Sequence, residues 1–277
     1  MKTILVPTDF SDAAQNASIY AAELAKLIQG KVVLFHAYHV PIVITTDLPT
    51  TVMMDMKVLE EENIDRLRKE AFDIKEQTGV DVTYMAREGY AIDEILEIER
   101  TQKPDLIVMG MQKSDAISEF IIGSIATDVI RQSLVPVMII PLNAKFKPYK
   151  KIVFATDYSI DTDTHLLEPL KELSKIFYSK LFILNVVKEL ELVGVEKEVS
   201  RMRIHNYFED LEHTHYYFED DDIVHGLNEF IEEYNVDVVT MLPHKHNLFQ
   251  RMFKEGYTKK MAFHTHIPLL TLPSRTF

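Results

Sequence analysis

The sequence predicts an α/β protein of two tandem, doubly wound, three-layer domains, each on a five-stranded, mostly parallel sheet of order 3-2-1-4-5. Three observations predict it. The chain repeats itself, short apolar runs alternate with helix-period segments inside each copy, and 277 residues are more than one ordinary domain needs. Lys2-Thr3-Ile4-Leu5-Val6-Pro7-Thr8-Asp9-Phe10-Ser11 returns as Lys150-Lys151-Ile152-Val153-Phe154-Ala155-Thr156-Asp157-Tyr158-Ser159. Pro104-Asp105-Leu106-Ile107-Val108-Met109 returns as Val236-Asp237-Val238-Val239-Thr240-Met241, and Val135-Pro136-Val137 as Ile267-Pro268-Leu269. Echoes in one order at near-constant offsets place the domains at 1–143 and 150–277, with a linker around Pro148.

Taken in order, residues 2–7 read as a continuous apolar strand. Ser11 starts a helix that carries Ala14, Ala17, Ala21, Leu24 and Ile28 on one face, and Gly30 is expected to stop it. Residues 31–37 form the second strand. A loop through Pro41 and Pro49 leads into a long charged helix over 51–77, which Gly79 closes. Residues 80–85 read as a third strand, 91–101 as a helix, 105–109 as a fourth strand, 121–132 as a helix and 135–140 as a fifth strand. The second copy follows, with strands near Ile152, Leu181, His215, Val238 and Leu269 and a shorter helix over 195–211. Strands rich in Val, Ile and Leu between helices imply right-handed crossovers and a sheet covered on both faces.

Bulk composition narrows the function. Apolar residues make up 47% and charged residues 26%, enough for two cores and too ordered a pattern for disorder. The absence of cysteine excludes disulfides, thiolate zinc sites and thiol nucleophiles. The net charge is −13, with acidic residues in excess in both halves, so phosphate neutralisation by clustered Lys and Arg, and with it nucleic-acid binding, is not expected. No apolar run approaches a membrane span, and Met1 to Pro7 runs into an acidic turn too soon for a signal peptide. The expected location is the cytoplasm, with no membrane partner.

Open α/β sheets bind ligands beyond the carboxyl ends of their strands, where the strand order reverses. With order 3-2-1-4-5 that point lies between strands one and four. Pro7-Thr8-Asp9 follows strand one; Gly110-Met111-Gln112-Lys113 follows strand four and leads to Gly123-Ser124-Ile125 at a helix start. Glycines let a backbone approach a ligand closely, a helix N-terminus offers unpaired N–H groups, and Ser124 adds a hydroxyl, which together suit an anion.

On these residues the chain resembles the universal stress protein family, across essentially its whole length, as a tandem of two such domains. The family's nucleotide-binding branch carries Gly-x-x-Gly, nine residues, then Gly followed by Ser or Thr. Here that stretch reads Gly110-Met111-Gln112-Lys113, Ser114 to Ile122, then Gly123-Ser124, with Lys113 at the place of the second glycine. The resemblance implies that Pro7, Thr8 and Asp9 contact adenine and ribose, that His36 and Ala37 line the adenine side, and that Gly110, Lys113, Gly123 and Ser124 cradle phosphates beside the apolar Ile125. ATP or AMP, with magnesium, is the implied ligand. Where the backbone suits lysine, the Lys113 ammonium pairs with phosphate; where φ must be positive, the loop distorts. In the second copy Leu242, Lys245, Glu255 and Gly256 stand at these positions, so no cradle survives and that copy is expected to stay empty.

The same resemblance implies that the apolar fifth strands, 135–140 and 267–272, meet antiparallel in an intrachain pseudo-dimer, which covers two sheet edges. It implies a stress-response sensor or regulator with protein partners, which can dimerise further as a whole chain. The alternative is a scaffold without nucleotide, whose partner contacts the long loop over 38–50. No Ser-His-Asp order, Walker lysine or catalytic carboxylate pair is present, so no catalytic residue is assigned and any nucleotide hydrolysis is expected to be slow. Asp9 and Asp157 have a plain reading as turn braces before helices. Met53-Met54-Asp55-Met56 suits either an adaptable contact surface or local packing. His213-Thr214-His215, His244-Lys245-His246 and His264-Thr265-His266 each place two imidazoles on one side of an extended segment, yet spacing alone assigns no metal.

Overall fold

The computed structural model describes residues 1–39, 56–113, 120–158, 163–188, 195–243 and 266–273. The first domain runs β1 (Thr3–Pro7), α1 (Asp12–Ile28), β2 (Lys31–Tyr38), α2 (Met56–Thr78), β3 (Val82–Glu88), α3 (Ala91–Gln102), β4 (Leu106–Lys113), β5 (Phe120–Ile121), α4 (Ser124–Gln132) and β6 (Val137–Pro141). The second runs β7 (Lys151–Ala155), a 3-10 turn (Thr164–Leu167), α5 (Glu168–Phe177), β8 (Lys180–Val187), α6 (Val195–Tyr207), β9 (His213–Glu219), α7 (Ile223–Tyr234), β10 (Val238–Met241) and β11 (Leu269–Thr271).

The strands lie in the order β3-β2-β1-β4-β6-β11-β10-β7-β8-β9. Each domain therefore has the expected order, and the ladders within each main sheet are parallel. The two fifth strands pair antiparallel, with Leu270 opposite Met138, and the Thr271 hydroxyl donates to the Val137 carbonyl at 3.0 Å. One sheet thus crosses both domains, and the edges that β6 and β11 would otherwise expose are closed.

Alternation along the strands sends Ile4 and Val6 to one face and Leu5 to the other. One core joins α1, α2, α5 and α6 through residues such as Leu24, Leu67, Leu170 and Ile204. The opposite core joins α3, α4 and α7 through Ile98, Val129 and Phe230. Both cores run through the two domains, with the fully buried Tyr149 of the linker packed on Phe177 at a centroid distance of 4.7 Å.

Repeated residues do repeated work. Asp105 Oδ2 accepts from the amides of Lys2 and Thr3 at 2.8 and 2.9 Å, and Asp237 Oδ2 accepts from those of Lys150 and Lys151 at the same two distances. Each carboxylate pins the start of its first strand beside its fourth.

Several boundaries differ from expectation for local reasons. The first helix ends on Gln29 in the left-handed conformation, not on Gly30; Gly30 is small because a Cβ there would come within 2.9 Å of the Lys2 carbonyl. The helix expected over 121–132 begins at Ser124, since Ile121 pairs with Gln112 in the short β4–β5 ladder. The helix expected over 195–211 ends at Tyr207. Expectations placed on 40–55, including the Met-rich stretch and most of the 38–50 loop, lie outside the described residues, as do Lys245, Glu255, Gly256, His244, His246 and His264. Among the described residues no helix is long and apolar enough to cross a membrane.

Candidate functional site

Strand order reverses between β1 and β4, and a cleft of about 480 Å³ opens beyond their carboxyl ends. Pro7, Thr8 and Asp9 supply one wall, His36 and Ala37 the end of β2, Gly110 the run out of β4, and Gly123, Ser124 and Ile125 the start of α4. Every sequence-predicted site residue whose side chain is described lines it. Lys113 closes β4 as an extended residue in register with Phe120, so its backbone adopts no left-handed turn; its side chain lies outside the described part.

The turn after β1 is held by a bond to β2 and by the side chains of Thr8 and Asp9. Thr8 N–H donates to the Phe35 carbonyl at 2.8 Å, and Thr8 Oγ1 accepts from Phe10 N–H at 3.0 Å. Phe10 takes the left-handed region, φ 63°, where a bulky residue persists only when its neighbours hold it. Its ring lies between the His36 imidazole, 4.5 Å away by centroid, and the Arg66 guanidinium of α2, 3.8 Å from the ring centre. His36 Nδ1–H donates to the Thr8 carbonyl at 2.8 Å, and burial lowers its pKa, which keeps the ring neutral at pH 7. Exposed Asp9 spends one carboxylate oxygen on the amide of Ser11 at 3.0 Å, the brace the sequence suggested, and retains acceptor capacity for a ligand hydroxyl or a cation.

Behind this turn is a network that the sequence did not reveal. Thr8 Oγ1 donates to Glu70 Oε2 at 3.3 Å, and Ser18 Oγ donates to Glu70 Oε1 at 2.8 Å. Burial pushes the Glu70 carboxyl up, against the pull of these two hydroxyls. Ala91 and Ile95 of α3 and Met109 of β4 complete an apolar lining that was also missed. Glu70 is one of many acidic residues on a charged helix, and nothing local in the sequence marks it.

The two glycines of the motif have different surroundings. A Cβ on Gly110 would stand 2.3 Å from the Ala13 carbonyl oxygen and 2.9 Å from the Ala14 amide nitrogen, so glycine lets α1 lie directly on β4. A Cβ on Gly123 would meet nothing within 4 Å. Gly123 is the N-cap of α4 with an extended backbone, φ −61° and ψ 160°, and makes no side-chain cap. The first amides of α4 therefore open on the cleft without an acceptor among the described residues, the arrangement that holds an anion. Among the described lining residues Asp9 is the only carboxylate, and none is a lysine or arginine. The described lining meets anionic charge with the α4 amides and the positive end of the helix dipole.

The family model for the universal stress protein family matches residues 1–141, the span of the first domain. The chain belongs to the universal stress protein family. A universal stress protein of Methanocaldococcus jannaschii is 30% identical over 141 residues, which is 50% of this chain and 81% of that protein. The solved structure of a universal stress protein from Archaeoglobus fulgidus covers 98% of both chains with a TM-score of 0.73 at 18% identity, a likeness of fold across both domains. A universal stress protein solved in complex with cAMP is similar over 51% of this chain, at 22% identity and a TM-score of 0.39. That ligand belongs to that protein.

The second domain of this universal stress protein repeats the turn, with different residues at two described positions beside it. Thr156 N–H donates to the Leu184 carbonyl at 2.9 Å, Tyr158 N–H to Thr156 Oγ1 at 3.1 Å, and Tyr158 has φ 54°. Asn185 replaces His36, donating to the Thr156 carbonyl at 2.7 Å. Leu242, at the position of Gly110, is buried. A larger cleft of about 610 Å³ lies at the domain junction. It lies by the amino end of β7, where Asp237 binds the first strand amides and pairs with Lys147 at 2.6 Å, so position and occupied polar groups favour the smaller cleft as the site.

Proposed function

We propose that the first domain binds ATP or AMP, with magnesium, in the cleft beyond β1 and β4, and that the chain serves as a stress-response sensor or regulator rather than an enzyme. The observation that carries this reading is the convergence on one cleft of Pro7-Thr8-Asp9, His36-Ala37, Gly110 and Gly123-Ser124-Ile125, which are far apart in the chain. Its volume falls in the range of small-ligand sites, about 300–1,000 Å³. The open space over Gly123 fits a phosphate brought against the first amides of α4. Magnesium would add positive charge to that of the α4 amides, with the outer oxygen of Asp9 within the same cleft to share it. Family membership supports the reading, and Lys113 is compatible with it because an extended residue needs no glycine.

The second domain, with Leu242 in place of Gly110, is read as a structural partner that receives β6 on β11. Calorimetric titration of the nucleotide-stripped chain with ATP and magnesium tests the whole reading. Binding near one site per chain, lost in Gly123→Val, is the expected result. Two sites would refute the empty second domain, and no heat in wild type with binding in Lys113→Gly would leave the scaffold reading in front.

A further inference from the structure

Three histidines of the second domain meet at the outer edge of the sheet. His213 and His215 alternate on β9, and His205 reaches them from the last turn of α6. One ring nitrogen from each lies within 4.8 Å of the others. His213 Nε2 and His205 Nδ1 are 2.7 Å apart.

On His213 and His215 the other ring nitrogen is already engaged in the way that prepares a ligand. His213 Nδ1 is 3.0 Å from the Leu211 carbonyl, which can only accept, so the proton is on Nδ1 and the lone pair on Nε2. His215 Nδ1 is 2.6 Å from the Tyr158 hydroxyl, while its Nε2 is buried with no partner. A hydroxyl that accepts from Nδ1–H leaves a second lone pair on Nε2. An outer hydrogen bond that fixes the tautomer is the usual companion of a ligating imidazole. A buried ring nitrogen without a partner otherwise needs an explanation.

We propose that His205, His213 and His215 form a binding site for a divalent transition-metal ion of the zinc class, with three imidazole ligands and a fourth position open to water. Three neutral nitrogens suit zinc, and magnesium and calcium prefer oxygen. Nitrogens at about 2.0–2.1 Å from a tetrahedral ion stand about 3.3 Å apart, so His205 and His213 need to separate only slightly. His205 is exposed and free to make that adjustment. The nearby cation does not oppose the ion alone, because Arg201 Nε is paired with Glu198 at 2.9 Å. A bound ion would clip α6 to the edge strand β9, joining two elements of a domain that is not expected to hold nucleotide.

The test is titration of the full, metal-free chain with Zn²⁺ against a competing chelator, together with the visible spectrum of the Co²⁺ form. Expected are one zinc per chain of micromolar affinity or tighter, a tetrahedral cobalt spectrum, and a rise in the thermal midpoint with zinc. His205→Gln, an exposed change on a helix end, and His213→Gln should each weaken zinc binding by at least tenfold and abolish the midpoint rise. His225→Gln, in the separate group of Asp220, His225 and Glu229, should leave the tight site unchanged. No binding, or binding that survives His205→Gln and His213→Gln at wild-type affinity, would overturn the proposal.

Discussion

Gly110 and Gly123 belong to one sequence motif, yet their surroundings require opposite responses to added volume. In Gly110→Ala the new methyl would stand 2.3 Å from the Ala13 carbonyl oxygen and 2.9 Å from the Ala14 nitrogen, both backbone atoms of α1. No rotamer change relieves that contact; the helix must move off the strand. Overpacking of this kind costs about 1–3 kcal/mol, and the backbone origin of the clash argues for the upper end. In Gly123→Val the Cβ enters open space at φ −61° and ψ 160°, an extended conformation that any residue adopts. Losing a glycine N-cap costs from a few tenths to about 1 kcal/mol. An isopropyl group over the first amides of α4 would nevertheless bar a phosphate, and a tenfold loss of affinity corresponds to about 1.4 kcal/mol. Urea unfolding and ATP titration on the same two variants separate the effects. We expect Gly110→Ala to lose stability first and Gly123→Val to lose at least tenfold in affinity while staying folded. Wild-type stability in Gly110→Ala would refute the packing argument, and wild-type affinity in Gly123→Val would move the ligand elsewhere.

Three further outcomes follow from polar groups with defined partners. Burial raises the Glu70 pKa, so its ionised form opposes folding as pH rises above the ordinary carboxylate range; Glu70→Gln should be more stable than wild type at pH 7, and the gap should close below about pH 4 in urea titrations. Burial also pushes Asp105 up, but the Lys2 and Thr3 amides and nearby cations outweigh it and lower the pKa. Its contribution is therefore present above about pH 4 and lost below, and the stability gap between wild type and Asp105→Asn should narrow on acidification. Tyr20 donates to the Tyr149 hydroxyl at 3.0 Å inside the core, so Tyr149→Phe should cost about 1–3 kcal/mol by stranding Tyr20, while the double change with Tyr20→Phe should recover part of that loss. Additive single losses would show that the two hydroxyls do not act as a pair.

The architecture was legible because its cause is periodic. Apolar strands between helix-period segments, written twice, leave few topologies, and the repeated Pro-Asp and Val-Asp positions turned out to be the same amide brace in both domains. The wall of the cleft was legible for a related reason: the residues after β1 and β4 meet wherever that strand order is adopted. What stayed hidden depends on contacts between distant elements. Glu70 touches Ser18 and Thr8 only because α2 packs beside α1, and His205 joins His213 and His215 only because α6 covers β9. Local turn chemistry misled in one place, where Gln29 took the left-handed position that the glycine beside it suggested for itself.

The repeated Thr-Asp-aromatic turn has a structural role in both domains. In both domains the threonine amide bonds to the second strand, the aromatic amide bonds to the threonine hydroxyl, and the aromatic residue has positive φ. These bonds satisfy buried backbone groups at the end of a central strand, so they are needed whether or not anything binds. The turn therefore says little about which domain is loaded. The discriminating positions are those that the fold leaves optional: Gly123, whose missing side chain relieves no packing, and His36, replaced by Asn185 with the same carbonyl contact. In the second domain the aromatic of the turn is the fully buried Tyr158, and its hydroxyl lies 2.6 Å from His215 Nδ1. On the two proposals made above, a duplicated fold that keeps its backbone braces directs one copy toward an anion and the other toward a metal ion without altering the sheet that joins them.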